Sequence, residues 1–229
     1  MTDIILTVDN LRKTYRHDTV EVEALRGASF EIRRGEFASI MGPSGCGKST
    51  LLYCLSGMAS VTSGQARFND TDIVALGDVE RTELRRKAMG FVFQRFNLMP
   101  TLTIEKNVEL ALRLKHGQSD SARVQEALEQ VDMAPWADTK PCHLSEGQKQ
   151  RAAIARAIAT EPEILFADEP TGNLDSDNSA NIMDLFFSLN RRGQTIIMVT
   201  HNPALAEMTG RTFHMKDGHI VHISHGDNR

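Results

Sequence analysis

A chain of 229 residues, 41% hydrophobic and 24% charged, suits one domain or one core with an inserted lobe, and can fill that core without disulfides or a structural metal. Its net charge of -4 gives no support for a nucleic-acid binder, which carries a basic face. The cysteines Cys46, Cys54 and Cys142 form no CxxC pair, Met1-Thr2-Asp3 opens no leader pattern and no run of about 18 apolar residues exists; a cytosolic setting is expected, with any membrane role supplied by a partner.

In chain order, Ile4 to Val8 predicts a short strand, and the rough alternation of Val22, Ala24, Ala28, Phe30 and Ile32 predicts a second one over Glu21 to Ile32, bent at Gly27. Glu36 to Met41 predicts another strand, followed by a glycine-rich turn and a helix from Ser49 to Leu55. From Asp78 to Ala159 the pattern is mostly helical, with Val124, Leu128 and Val131 on one helix face. An apolar strand over Gly90 to Phe93 interrupts it, ending at Gln94. Ile164 to Ala167 and Thr195 to Val199 have the short, apolar character of buried parallel strands. The outline is an α/β core interrupted by a helical insertion.

The turn after Met41 reads Gly42-Pro43-Ser44-Gly45-Cys46-Gly47-Lys48-Ser49, which fits GxxxxGK[ST] in the strand–loop–helix context that this phosphate loop requires. Glycines let backbone N–H groups curl around phosphate oxygens, and the helix N-terminus adds positive potential. Lys48 is placed to reach the β- and γ-phosphates, Ser49 to ligate Mg²⁺ through its hydroxyl, and Thr50 to contact the α-phosphate. The loop by itself does not separate a kinase from a GTPase, a helicase or a transporter ATPase.

The strand Ile164-Leu165-Phe166-Ala167 runs into Asp168-Glu169-Pro170. Asp168 at the strand's end is placed to hold Mg²⁺, directly or through water. Glu169, one residue on, is expected to point to the other side of the chain and to polarise an attacking water as general base. Taken alone, Asp-Glu-Pro also reads as a solvated turn. His201 follows another strand, where a neutral imidazole can bond a γ-phosphate and orient water, and the Gln94 amide can meet Mg²⁺ or water. Each of these is also an ordinary residue type for a strand end.

Further along, Leu144-Ser145-Glu146-Gly147-Gln148 opens an apolar helix, and Ser145 is a good cap for it. Phosphate loop, Gln94, LSEGQ, Asp168-Glu169 and His201 therefore appear in one order. That set resembles the ATP-binding cassette of ABC transporters over almost the whole chain, and LSEGQ, continued by Lys149-Gln150-Arg151 and Ala152 to Ala157, resembles the family's signature LSGGQ.

The resemblance implies a phosphate-loop NTPase core with a mostly parallel sheet, an N-terminal antiparallel β region and an inserted α-helical subdomain. The expected division is a core over about 1–94 and 160–229 and a helical signature subdomain over about 95–159. It implies ATP and Mg²⁺ as ligands, Tyr15 as an aromatic that stacks on adenine, and Asn173-Leu174-Asp175 as a loop crossing a dimer interface. Two cassettes then pack head to tail with two ATP molecules between them. Ser145, Gly147 and Gln148 face the nucleotide held by the other subunit, and Glu146, standing where the family has glycine, turns its carboxylate away.

Ala167 to Asp175 and Gly90 to Gln94 look like the subgroup serving lipoprotein extraction, macrolide or peptide export, haem export and cell-division complexes. The expected function is an ATPase that powers a membrane export or extraction complex, peripheral on the inner face of the membrane through a permease. Phe96, Leu98 and Met99, apolar for a loop, are the expected docking residues, with packing of the helical lobe as their other use. An ATP-gated switch acting on an extracytoplasmic partner without transport has identical ATPase chemistry and stays open. A chromosome-maintenance ATPase would need sustained heptads, and a translation-factor type two cassettes; neither is present.

Overall fold

The computed structural model describes residues 3–18 and 20–226, so Met1 and Thr2, where no leader pattern is read, lie outside it. Two sheets set the architecture. The first is antiparallel, with order β2-β1-β4-β5, built from β1 (Ile4–His17), β2 (Val20–Arg33), β4 (Ser63–Phe68) and β5 (Thr71–Asp72). The second is mostly parallel, with order β10-β9-β3-β8-β7-β6, from β3 (Phe37–Met41), β6 (Met89–Phe93), β7 (Ile164–Asp168), β8 (Thr195–Thr200), β9 (Arg211–Lys216) and β10 (His219–His225). Only the β9–β10 pair in it is antiparallel.

The described residues also form seven α-helices, α1 (Lys48–Leu55), α2 (Asp78–Ala88), α3 (Ile104–His116), α4 (Ser121–Gln130), α5 (Glu146–Ile158), α6 (Ser176–Arg191) and α7 (Pro203–Glu207), and two 3-10 turns, Ala134–Trp136 and Pro141–His143. Their ends follow from local chemistry. Thr103 caps α3 by accepting from Lys106 N, and Gly117 closes it at φ 76°. Asp120 caps α4 through Ala122 N and Arg123 N, leaving Val124 and Leu128 buried on one face as the spacing predicts. Val131, third in that spacing, is buried just past the helix end.

The central sheet separates two cores, and strand alternation assigns its side chains between them. Ile164 and Phe166 of β7, with Ile197 and Val199 of β8, join α1 and the N-terminal sheet in one core. Leu165, Ala167, Ile196 and Met198 face the other way, into the helical side built from α3, α4, α5 and α6. Both faces are covered, which is why these strands are apolar throughout Ile164–Ala167 and Ile196–Val199 rather than alternating, with polar residues only at their ends.

The N-terminal hairpin is longer than its apolar signal. β1 continues past Val8 to His17 through Asn10, at φ 45°, and through a stretch whose outward residues are polar and exposed. The bend at Gly27 is present: Leu11 pairs with Ala28 and Arg12 with Arg26, so Gly27 bulges out at φ 102°. The strands β4, β9 and β10 escape the sequence reading because β4 and β10 are largely exposed and β9 carries polar residues at alternate places.

Phe166 is fully buried and stacks on Phe91 with ring centroids 5.3 Å apart. Phe166→Ala is expected to cost about 3–5 kcal/mol in a urea titration, because a cavity opens beneath β7. A loss under about 1 kcal/mol would mean that this core collapses around the gap.

Candidate active site

The parallel register brings four chain turns to one edge of the sheet. Met41 pairs with Thr200, Val199 with Asp168 and Asp168 with Phe93, so the residues that follow β3, β8, β7 and β6 emerge side by side. They are the phosphate loop, His201, Glu169 and Gln94.

The loop from Gly42 to Gly47 is fitted tightly to its surroundings. A Cβ at Gly42 would lie 2.2 Å from Met215 O, and one at Gly47 would lie 2.4 Å from Ala24 O. Gly47 sits at φ 103° and leads into α1, so a side chain there is opposed by strain as well as space. Gly218 N donates to Cys46 O at 3.1 Å, tying the loop to the β9–β10 turn. Pro43, Ser44 and Gly45 remain exposed at the rim. The Cys46 side chain turns inward and is buried in the core beside Gly42, so Cys46 presents backbone, not thiol, to the loop.

Lys48 is 5% exposed, and its ammonium donates to Gly42 O at 2.8 Å and Pro43 O at 2.9 Å. A buried charge is tolerated when it is bonded in this way. Behind it, Asp168 is 8% exposed and accepts on both oxygens, from Ser49 Oγ at 2.8 Å and from Tyr53 OH at 2.6 Å. Burial, then the bond to Asp168 and its charge, hold the Tyr53 phenol well above its ordinary pKa and therefore protonated. Thr50 follows in the first turn of α1, half-buried.

Glu169 does not take its direction from strand alternation, as the sequence reading has it, because β7 ends at Asp168. Glu169 adopts φ 47°, its N–H donates to Val199 O and its carbonyl accepts from Gly172 N. That turn sets its carboxylate against His201, with Oε2 at 3.1 Å from Nδ1. A carboxylate accepts only, so Nδ1 is the donor in this pair. Gly172 lies beneath both neighbouring groups: a Cβ there would be 2.9 Å from Gln94 Nε2 and 3.4 Å from Glu169 Oε2. Asn173 Nδ2 donates to Gln94 O at 2.9 Å and holds that strand end in place.

The donors present fit a magnesium ion that arrives with phosphates. Mg²⁺ favours oxygen ligands, keeps several waters and is held through one or two carboxylates. The Ser49 hydroxyl and the Asp168 carboxylate beside the phosphate loop are that set. Among the described residues there is no cluster of three or more His, Cys, Asp and Glu side chains able to cage a metal.

The LSEGQ turn lies at the start of α5. Ser145 Oγ accepts from Gln148 N at 3.3 Å and Gln148 Oε1 accepts from Ser145 N at 2.9 Å, a reciprocal capping box. The box leaves the amides of Glu146 and Gly147 unused, and Ser145 and Glu146 are exposed. Gly147 is buried against α6, where a Cβ would stand 2.4 Å from Asn178 Oδ1. Asn178 in turn donates through Nδ2 to Asp175 Oδ2 at 2.9 Å, and Asp175 caps α6 by accepting from Asn178 N at 2.8 Å. The amide bonds of this cap, backbone first, depress the Asp175 pKa below its ordinary value. Tyr15 is exposed on β1 with the Lys13 ammonium 4.8 Å from its ring centroid.

Tyr53 and Asn178 carry no motif and are not singled out in the sequence. The only available signal for Tyr53 is its spacing, one helical turn after Ser49, and for Asn178 its position three residues after Asp175.

A phosphate loop, a buried strand-end carboxylate, a carboxylate–imidazole pair and a capped helix start, on a parallel sheet with a helical insertion, define a nucleotide-hydrolysing cassette. The chain belongs to the ABC transporter family, whose model matches residues 25–172, and it is an ATPase. It is 43% identical to a lipoprotein-releasing system ATP-binding protein, LolD, of Aquifex aeolicus, over 95% of this chain and 96% of that one. It is 41% identical to the macrolide export ATP-binding/permease protein MacB of Syntrophobacter fumaroxidans, over 94% of this chain but 31% of that longer protein. Its fold superposes with a TM-score of 0.90 and 38% identity on MJ0796, an ATP-binding cassette of Methanocaldococcus jannaschii solved as a dimer bound to ADP and Pi after hydrolysis, covering 98% of this chain and all of the other.

Gly147→Ala is expected to lower stability by about 1–3 kcal/mol, since the added methyl drives Asn178 from its place. Adding Asn178→Ala should recover at least half of that loss in thermal denaturation. If the double variant is no more stable than Gly147→Ala, the close approach is not the cause.

Proposed function

We propose that this chain is the ATP-hydrolysing subunit of a membrane export or extraction complex, working as a head-to-tail homodimer closed by ATP. The observation that carries the reading is the division of the site. Lys48, Ser49, Asp168, Glu169 and His201 gather at one sheet edge, while the capped start of α5 shows Ser145 and Glu146 to solvent, apart from that cluster. A second copy turned head to tail would bring its own α5 start onto the first copy's phosphates, and this supports the dimer over a self-sufficient monomer. The kinship to LolD and MacB supports lipoprotein or macrolide-like cargo and a permease partner.

In this reading Tyr15 stacks on adenine, and backbone from Gly42, Pro43, Ser44, Gly45, Cys46 and Gly47 wraps the phosphates. Thr50 contacts the α-phosphate. Lys48 exchanges its two loop carbonyls for β- and γ-phosphate oxygens, and Ser49, Asp168 and Gln94 hold Mg²⁺, which supplies charge neutralisation to the phosphates when bound. Glu169 accepts a proton from the attacking water, and His201 steadies that carboxylate through Nδ1–H while Nε2 accepts from water. Ser145, Gly147 and Gln148 act across the dimer, and the Asp175 loop lies at the same boundary. Residues 95–159 act as the signature subdomain.

The permease is taken to dock in a cleft of about 540 Å³ between α2, β6 and α3, floored by Phe91, Phe93 and Leu110 and rimmed by Met99. Of the docking residues expected from the sequence, Met99 lines this cleft. Leu98 instead packs on the helical-side core, and Phe96 is half-buried on left-handed backbone whose carbonyl, like that of Asn97, is held by Arg156. Among the described residues no helix is long and apolar enough to cross a membrane, so the inner-face location comes through that permease.

Glu169→Gln is expected to keep ATP binding, lower hydrolysis by about 10²-fold or more and accumulate an ATP-bound dimer in size-exclusion chromatography. Near-normal hydrolysis would move the base elsewhere. Met99→Asp with Leu114→Asp, both exposed, should leave the isolated chain's ATPase rate within about twofold and abolish co-purification with a co-expressed membrane subunit, as charge is buried in an apolar contact. Unimpaired co-purification would place the docking site elsewhere.

A further inference from the structure

Nothing in the phosphate motif accounts for Tyr53. It lies on α1 four residues after Ser49, so the two side chains share one helix face. Between them they take the two oxygens of Asp168: Ser49 Oγ donates to Oδ1 at 2.8 Å and Tyr53 OH to Oδ2 at 2.6 Å. The carboxylate they hold is nearly buried, at 8% exposure, and ends the parallel strand β7.

A carboxyl group attached through a single bond can turn about it and exchange its two oxygens. Ser49 alone tethers one oxygen and leaves that rotation partly open. Two donors from fixed points on one helix hold the carboxyl plane: a half-turn only exchanges equivalent oxygens, and any intermediate rotation breaks at least one bond. We propose that Tyr53 is a positioning residue for ATP hydrolysis: its phenolic O–H locks the orientation in which Asp168 is presented to the divalent cation that accompanies ATP. This rests on the reading of Asp168 as the carboxylate on the metal side. Tyr53 itself touches neither nucleotide nor metal, and its removal takes away orientation while leaving every charge in place.

Hydrogen-bond partners of metal ligands commonly change metal affinity about 10–100-fold when removed. The low end applies here, because Ser49 stays. The test uses the full chain carrying Tyr53→Phe, which keeps the ring and deletes only the hydroxyl, with thermal denaturation to confirm the fold. A fluorescent ATP analogue is bound first in EDTA, then with Mg²⁺ titrated in, and Mn²⁺ binding to the nucleotide complex is followed by electron paramagnetic resonance.

The expected result is a metal-free nucleotide affinity within about twofold of the parent and half-saturating Mg²⁺ and Mn²⁺ concentrations raised about tenfold. Unchanged metal concentrations would overturn the proposal. An equal loss of metal-free and metal-dependent binding would also overturn it, by making Tyr53 a packing residue of α1. Asp168→Asn separates the two levels of the argument. A wild-type metal dependence in that variant would remove the reading of Asp168 itself, whereas a changed one beside an unaffected Tyr53→Phe would sink only the role of Tyr53.

Discussion

A carboxylate buried at the end of a parallel strand must have both oxygens bonded, or the sheet carries a desolvated charge at its edge. Asp168 meets that demand by taking two hydroxyls from α1, Ser49 and Tyr53. The consequence reaches beyond the strand. The helix that begins at Gly47 is fixed in rotation about its own axis, because two of its side chains must meet one carboxyl group. The phosphate loop, which ends in that helix, is thereby held at a set distance from β7. On its other side the loop is limited by Met215 and Ala24, against which Gly42 and Gly47 leave no room for a side chain. The shape of the loop is thus set by a buried charge in front and by backbone behind.

A second constraint operates on the helical side. Gly147 allows α5 to approach Asn178, and Asn178 uses its other amide atom to hold Asp175. The start of the signature helix and the loop after Glu169 are therefore joined through one short side chain. The loop begins only a few residues after Glu169, so the helix start, the α6 cap and the turn that ends β7 are packed as one local unit. Glu146 takes no part in this contact. It is exposed beside Ser145, its carboxylate well placed as a first-turn acid at a helix start, which explains how a charge is accommodated where the family has glycine.

The parts legible in the sequence are those where chemistry and backbone geometry coincide. The phosphate loop needs glycine at set positions, the buried strands β3, β7 and β8 are apolar on both faces, and the turn before α5 needs a cap. Each of these leaves a local mark. The exposed half of β1 and the strands β4 and β10 leave none, since a polar strand pairs through its backbone and looks like a loop in composition. Tyr53 and Asn178 were unreadable for a different reason: their partners, Asp168 and Gly147, are 115 and 31 residues away. Glu169 is legible as a residue but not in its direction, because the left-handed turn after β7 ends the strand alternation.

Lys48 shows how a nearly buried cation is satisfied by backbone alone. Its ammonium is nearly buried, and it has no carboxylate among its hydrogen-bond partners, only the carbonyls of Gly42 and Pro43. The lysine therefore ties the loop's own carbonyls together and keeps them from being orphaned. Both bonds have an ionised donor, the class that is roughly twice as strong as bonds between neutral groups, so the loop holds its shape through its own lysine. Removing the ammonium would leave two loop carbonyls to find other donors, which makes Lys48 a structural part of the loop as well as a cation beside it.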